Sequence, residues 1–147
     1  MKFFHQLIST FFFIGKMPFA PGTWGSFAGA MVYWLLPSDS FQIQVVLLVL
    51  ALIIGTWSAH QYSKNISIKD PSEVVIDEVA GIWLSLIFLP KEIIWFLSAF
   101  ILFRILDIYK PFIINRVQHI KGGMGIMLDD ILAGILTRLI LAVVYSF

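Results

Sequence analysis

No cysteine occurs anywhere in the chain. That absence excludes disulfides, a thiolate nucleophile and any cysteine-based zinc site, so the chemistry left is that of oxygen, nitrogen or a hard metal ion. Charge is scarce as well: Asp, Glu, Lys and Arg make up only 13% of 147 residues, and the net charge of +1 offers no electrostatic case for nucleic acid as a partner. Three phosphatase solutions are missing from the sequence: a Cys-x5-Arg loop, an Asp-x-Asp-x-Thr nucleophile motif and a Pro-Ser-Gly-His block. The three histidines, His5, His60 and His119, have no motif around them. Routes to a covalent phospho-enzyme through those motifs are therefore excluded. No repeat, low-complexity tract or linker suggests a second domain, and residues 1–147 read as one.

What the chain has in abundance is apolar surface. Hydrophobic residues make up 59% of it, with a mean hydropathy of +0.90, outside the range of a soluble globular domain. The spacing predicts apolar helices over 27–36, 41–59, 79–89, 93–106 and 128–147. The second is long enough to cross a bilayer core of about 30 Å. The segments 27–36 and 79–89 are too short to span as straight helices and are expected to enter part way or to pack inside the bundle. Met1 to Phe13 reads as an aromatic helix at the membrane interface, since His5 and Gln6 interrupt its apolar core and no small-residue cleavage pattern follows. The expected fold is thus all-α, a compact helical bundle embedded in a membrane.

If the apolar segments alternate through the bilayer, the polar stretches 14–26, 61–78 and 107–127 all emerge on one face. These carry Lys16, Lys64, Lys69, Lys110, Arg116 and Lys121, against Lys91 alone on the other side, which makes the shared face cytoplasmic by the positive-inside rule. His60 and Lys64, four residues apart, read as a solvated helix end facing headgroups.

The polar loops hold two adjacent acidic pairs. Asp77 and Glu78 precede an apolar helix, and Asp129 and Asp130 open another after the glycine turn Gly122-Gly123-Met124-Gly125. Glycines there allow positive φ and close approach to a ligand, and a helix's first turn favours anions, so the second pair is also explicable as helix capping alone. Arg104, Asp107 and Lys110 share one broad helix face; an Arg104–Asp107 ion pair would satisfy two of them without a ligand. Pro18, Pro21 and three glycines are expected to forbid regular structure until Ser26, with Thr23 or Ser26 then capping the next helix or contacting a phosphate. Hard carboxylate oxygens suit Mg²⁺, the cations suit phosphate, and the setting suits a lipid. An alternative is a non-enzymatic membrane protein that binds Mg²⁺ or anionic lipid through the same groups.

Four blocks, taken together, resemble the phosphatidylglycerophosphatase A family: Ala20-Pro21-Gly22-Thr23-Trp24-Gly25-Ser26; Asp70-Pro71 with Val75-Ile76-Asp77-Glu78-Val79-Ala80-Gly81; Phe103-Arg104-Ile105-Leu106-Asp107-Ile108-Tyr109-Lys110-Pro111; and Gly122 through Gly134. They follow the family's order along nearly the whole chain. The resemblance implies a bacterial inner-membrane, Mg²⁺-dependent phosphatase converting phosphatidylglycerophosphate to phosphatidylglycerol. On the residues, Glu78, Asp129 and Asp130 are expected to hold the cation, with Asp77 and Asp107 as further ligands or supports of that catalytic cluster. Arg104, Lys110 and Lys121, with the hydroxyls of Thr23 and Ser26, are expected to bind the substrate's phosphates.

Overall fold

The computed structural model describes residues 1–36, 40–111 and 122–146. The described residues form six α-helices and no strand: α1 (Lys2–Ser9), α2 (Pro21–Leu35), α3 (Phe41–Ile66), α4 (Ile76–Leu86), α5 (Ile93–Tyr109) and α6 (Gly123–Tyr145), with a 3₁₀ turn at Ile14–Lys16.

The shortest of the later helices holds the centre. α4 is apolar on almost every side after its first turn, and a helix of that pattern must be surrounded to be stable. It packs against α2, α3, α5 and α6, and all of its residues except Glu78 and Leu84 are buried. Close approach is obtained with small residues. A Cβ on Gly81 would meet the Phe103 ring at 2.6 Å and the Asp130 carbonyl oxygen at 2.8 Å, and Gly134 of α6 lies against the backbone of Gly81 in turn. Helices that touch at glycine bring their backbones together without needing a large apolar contact, the usual solution among membrane helices.

The exterior is apolar and the interior partly polar. Val46 and Ile53 on α3, Ile101 and Ile108 on α5, and Leu139 and Val143 on α6 face outward, whereas Ser26, Ser58, Ser85, Asp77, Asp107, Asp129 and Asp130 are buried. Among the described residues α3 is the one helix long and apolar enough to cross a membrane; only 22% of its most apolar window is buried within the bundle, unlike the core helix of a soluble protein. Its 26 residues extend about 39 Å.

Three expectations about helix ends are corrected. α2 begins at Pro21 and not beyond Ser26, because proline at the first helical position lacks only an N–H that would have had no helical acceptor. Ser26 is consequently inside the helix, its Oγ donating to the Gly22 carbonyl at 2.7 Å, and neither it nor Thr23 is the cap; that position is Ala20, in the left-handed region at φ 47°. α4 starts at Ile76, so Asp77 and Glu78 belong to its first turn instead of the preceding loop. α6 starts at Gly123, which moves Asp129 and Asp130 into the second turn, beyond the reach of the first-turn capping argument. Near the N-terminus the helix stops at Ser9, and Phe11, Phe12 and Phe13 all take positive φ to turn the chain back. α1 packs on α3, with the His5 ring edge-on to Trp57 at 4.5 Å.

Candidate active site

Four helices deliver polar groups to one end of α4. The two acids of α4 lie in its first turn, and the close α4–α6 contact at Gly81 and Gly134 sets the second turn of α6 beside them. Successive residues on a helix point about 100° apart, and Asp129 and Asp130 turn to different partners. Asp130 turns toward α4: one carboxylate oxygen from each of Asp77, Glu78 and Asp130 lies within 4.8 Å of the others. Asp129 turns toward the end of α5, where Lys110 Nζ donates to its Oδ2 at 2.6 Å. The expected trio of Glu78, Asp129 and Asp130 thus has Asp77 in the place given to Asp129, while Asp129 carries the cation contact.

Arg104 projects from α5 into the same space. Its Nη1 donates to Asp107 Oδ2 at 2.5 Å and to Ser26 Oγ at 3.3 Å, so the ion pair anticipated from the sequence forms, and Ser26 enters the site as a support for the guanidinium. α2 meets the cluster with a glycine. A side chain at Gly22 would strike Glu78 Oε1 and come within 3.3 Å of Arg104 Nη1. Thr23, one residue further along α2, is half-buried. Lys121 lies outside the described residues.

The electrostatics are those of an unfinished site. Burial pushes the Asp77 carboxyl well above the usual carboxylate range, and the charges of Glu78 and Asp130 push it further. Asp77 Oδ1, Glu78 Oε2, Asp129 Oδ1 and Arg104 Nε are all buried without a hydrogen-bond partner among the described residues. Unpaired buried charge is expensive, and its concentration at one place marks a place for a ligand. Asp77, Glu78 and Asp130 could hold a hard divalent cation, since their donors are all oxygen and their mutual repulsion is relieved only by positive charge or protons. The Arg104 and Lys110 donors suit the oxygens of a phosphate.

Two further features were not legible as parts of the site. His60, read as a headgroup-facing residue, accepts a hydrogen bond from the Gly123 N–H on its Nδ1 at 3.3 Å, at the start of the helix that carries Asp129 and Asp130. A cleft of about 620 Å³ opens beside the first turn of α2, lined in part by Lys16, Pro21, Asp70 and Glu73. Lys16 Nζ lies 3.9 Å from Glu73 Oε2, and the Tyr62 hydroxyl donates to Glu73 Oε1 at 2.5 Å, which joins the first two polar loops. In the sequence the signal for His60 was the pair of glycines at 122 and 123, whose reason is the approach of α3.

Comparison with known proteins adds an independent line. A protein of Bacteroides thetaiotaomicron named "Putative phosphatidylinositol-3-phosphatase" is 38% identical over 150 residues, covering 97% of this chain and 94% of that protein. Phosphatidylglycerophosphatase A of Escherichia coli K12 is 36% identical over 138 residues, covering 92% and 80%. The Haemophilus influenzae protein of the same name is 35% identical over 133 residues, covering 88% and 82%. No solved structure matches the chain. The model of the family Phosphatidylglycerophosphatase A matches residues 7–145, which include every candidate site residue named above. With that match and relatives above one-third identity along most of their length, the chain belongs to the phosphatidylglycerophosphatase A family.

Proposed function

We propose that this chain is a membrane-embedded lipid phosphatase that hydrolyses phosphatidylglycerophosphate to phosphatidylglycerol and inorganic phosphate, assisted by Mg²⁺. The observation that carries the reading is the convergence of three carboxylates, buried Asp77 and Asp130 and half-buried Glu78, with the Arg104 and Lys110 donors inside a bundle whose exterior is apolar. The names of the Escherichia coli and Haemophilus influenzae relatives supply the substrate.

Asp77, Glu78 and Asp130 would hold the cation. When bound, Mg²⁺ supplies Lewis-acid polarisation of a phosphoryl oxygen and a lowered pKa for bound water. Arg104 presents Nε to the terminal phosphate, while Asp107 and Ser26 fix the guanidinium from its other side. Lys110, held by Asp129, places a second positive charge where negative charge spreads over the phosphoryl oxygens. Thr23 and Lys121 complete the phosphate contacts in this reading. Asp129 Oδ1, which has no partner among the described residues, accepts the proton of the attacking water as oxygen adds to phosphorus. The phosphorus–ester oxygen bond then breaks, and the leaving glycerol oxygen takes up the proton that Asp129 accepted, which returns the carboxylate to its starting state.

The bundle lies in the bacterial inner membrane as a multi-pass protein with this site at the cytoplasmic face. The low burial of α3 and the bias of lysines toward the polar loops at the site end support that placement.

Phosphate release by the purified protein from short-chain phosphatidylglycerophosphate, with phosphatidylinositol 3-phosphate as comparator, tests the reading. Faster release from the glycerol lipid is expected. Preference for the inositol lipid would move the assignment to the chemistry named for the Bacteroides relative, and release from neither would leave a binding protein.

A further inference from the structure

We infer that His60 is a positioning residue for the catalytic helix α6, acting through its Nδ1 on the Gly123 amide. The inference rests on the phosphatase reading above and extends it to a residue outside the cluster of acids and cations. The first N–H groups of a helix have no acceptor within the helix, and a side chain at the cap normally supplies one. Here the cap is Gly122, at φ 83°, which has no side chain to offer. The acceptor comes instead from another helix. His60, near the C-terminal end of α3, takes the Gly123 N–H on Nδ1 at 3.3 Å, and Gly123 itself is buried.

His60 is exposed, but the backbone of the two glycines is set tightly against α3. A Cβ on Gly122 would stand 3.0 Å from His60 Nδ1, and one on Gly123 would meet the Thr56 carbonyl oxygen and come within 2.9 Å of His60 Cβ. Both glycines are therefore needed for α3 to approach the start of α6 along Thr56 and His60. From Gly123 the rigid backbone of α6 runs two turns to Asp129 and Asp130, so the angular setting of the acids against Asp77, Glu78 and Lys110 depends on where that helix begins. A displacement of about 1 Å in a catalytic group is enough to lower turnover by orders of magnitude. To accept on Nδ1 the ring must be the neutral tautomer protonated on Nε2.

Asparagine places its side-chain oxygen where histidine has Nδ1, whereas glutamine reaches the position of Nε2. Three variants thus separate the acceptor from bulk. His60→Ala and His60→Gln are expected to lower kcat on phosphatidylglycerophosphate by about tenfold or more with KM little changed, and His60→Asn to restore most of it. Amide hydrogen exchange read on the peptide spanning Gly122–Ile131 should quicken in the alanine and glutamine variants and stay near wild type in the asparagine variant. Equal turnover and equal exchange in wild type and His60→Ala would overturn the inference, as would rescue by glutamine in place of asparagine. A wild-type protein without turnover on this lipid would defeat the phosphatase reading alone. The exchange comparison would then still decide whether His60 sets the start of α6.

Discussion

Lys110 Nζ donates to Asp129 Oδ2 at 2.6 Å, tying the last residue of the Arg104 face to the second turn of α6, while Asp129 Oδ1 has no partner among the described residues. The pair is largely shielded from water on the Asp129 side, where the side chain is 9% exposed. If the two act as a unit, Lys110→Met and Asp129→Asn should each lower kcat/KM by about tenfold or more, and the double variant should lose no more than the worse single one. A double-mutant cycle on kcat/KM reads this. Losses that simply add would mean the two residues work separately.

Removing a charge from the acidic trio should split stability from function. Without metal, Asp77, Glu78 and Asp130 crowd three carboxyl groups into a buried space, so Asp77→Asn or Asp130→Asn should leave the metal-free protein as stable as wild type or more so. Mg²⁺ is expected to raise the melting temperature of the wild type and not that of these variants. Thermal unfolding in detergent, with and without Mg²⁺, measures both. A strongly destabilised metal-free variant would show that the trio is a structural network.

The raised Asp77 carboxyl fixes a direction with pH. Burial favours its neutral form, so the metal-free fold binds that proton above the ordinary carboxylate range, and its stability falls as pH rises through the folded-state pKa. A cation must displace the proton, so apparent Mg²⁺ affinity should weaken as pH drops toward that pKa. Isothermal titration with Mg²⁺ across mildly acidic to mildly alkaline pH checks the sign. Affinity that strengthens on acidification would contradict it.

Packing at the α4–α6 contact should be as sensitive as the chemistry. In Gly81→Ala the new methyl would meet the Phe103 ring at 2.6 Å and the Asp130 carbonyl oxygen at 2.8 Å, and the Asp130 backbone cannot yield without moving a helix. A loss of about 2 kcal/mol is expected from such overpacking, together with a fall in turnover because Asp130 is displaced. Denaturation midpoints and initial rates on the same preparation would show it. Wild-type values for both would mean that the helices can separate at no cost.

A chain without cysteine reports its own sidedness. Single cysteines replacing Ser72, in the loop beside the site, and Glu92, in the turn before α5, sit at exposed positions. With the site facing the cytoplasm, Ser72→Cys should be shielded from an impermeant thiol reagent in intact cells and labelled after the membrane is opened, and Glu92→Cys should show the reverse. Labelling of Ser72→Cys in intact cells would invert the topology.

The chemistry of the site was more legible in the sequence than its wiring. Paired acids beside apolar helices, an arginine and a lysine on one helix face and the four motif blocks pointed to a phosphatase because charge amid so much apolar sequence requires a reason. Which acid meets which partner was not legible, because Asp129 and Asp130 diverge by one helical step and the helix carrying them starts at Gly123, earlier than the apolar pattern suggested. The start of α2 was missed for a related reason: Pro21 and Gly22 look like loop residues, yet proline suits a first helical position and Gly22 is required by the approach of Glu78 and Arg104. The role of His60 is a contact between residues 63 apart in the chain, which the glycines at 122 and 123 mark without identifying the partner.

The most direct measurement is the initial rate of phosphate release from phosphatidylglycerophosphate as Mg²⁺ is titrated, in wild type and Asp130→Asn side by side. Wild type should show a saturable, chelator-reversible dependence on Mg²⁺, and Asp130→Asn should fall by about a hundredfold or more at any Mg²⁺ concentration, as expected for loss of an anionic ligand. Turnover in Asp130→Asn within about threefold of wild type, or full wild-type activity in excess chelator, would contradict an active site built on Asp77, Glu78 and Asp130.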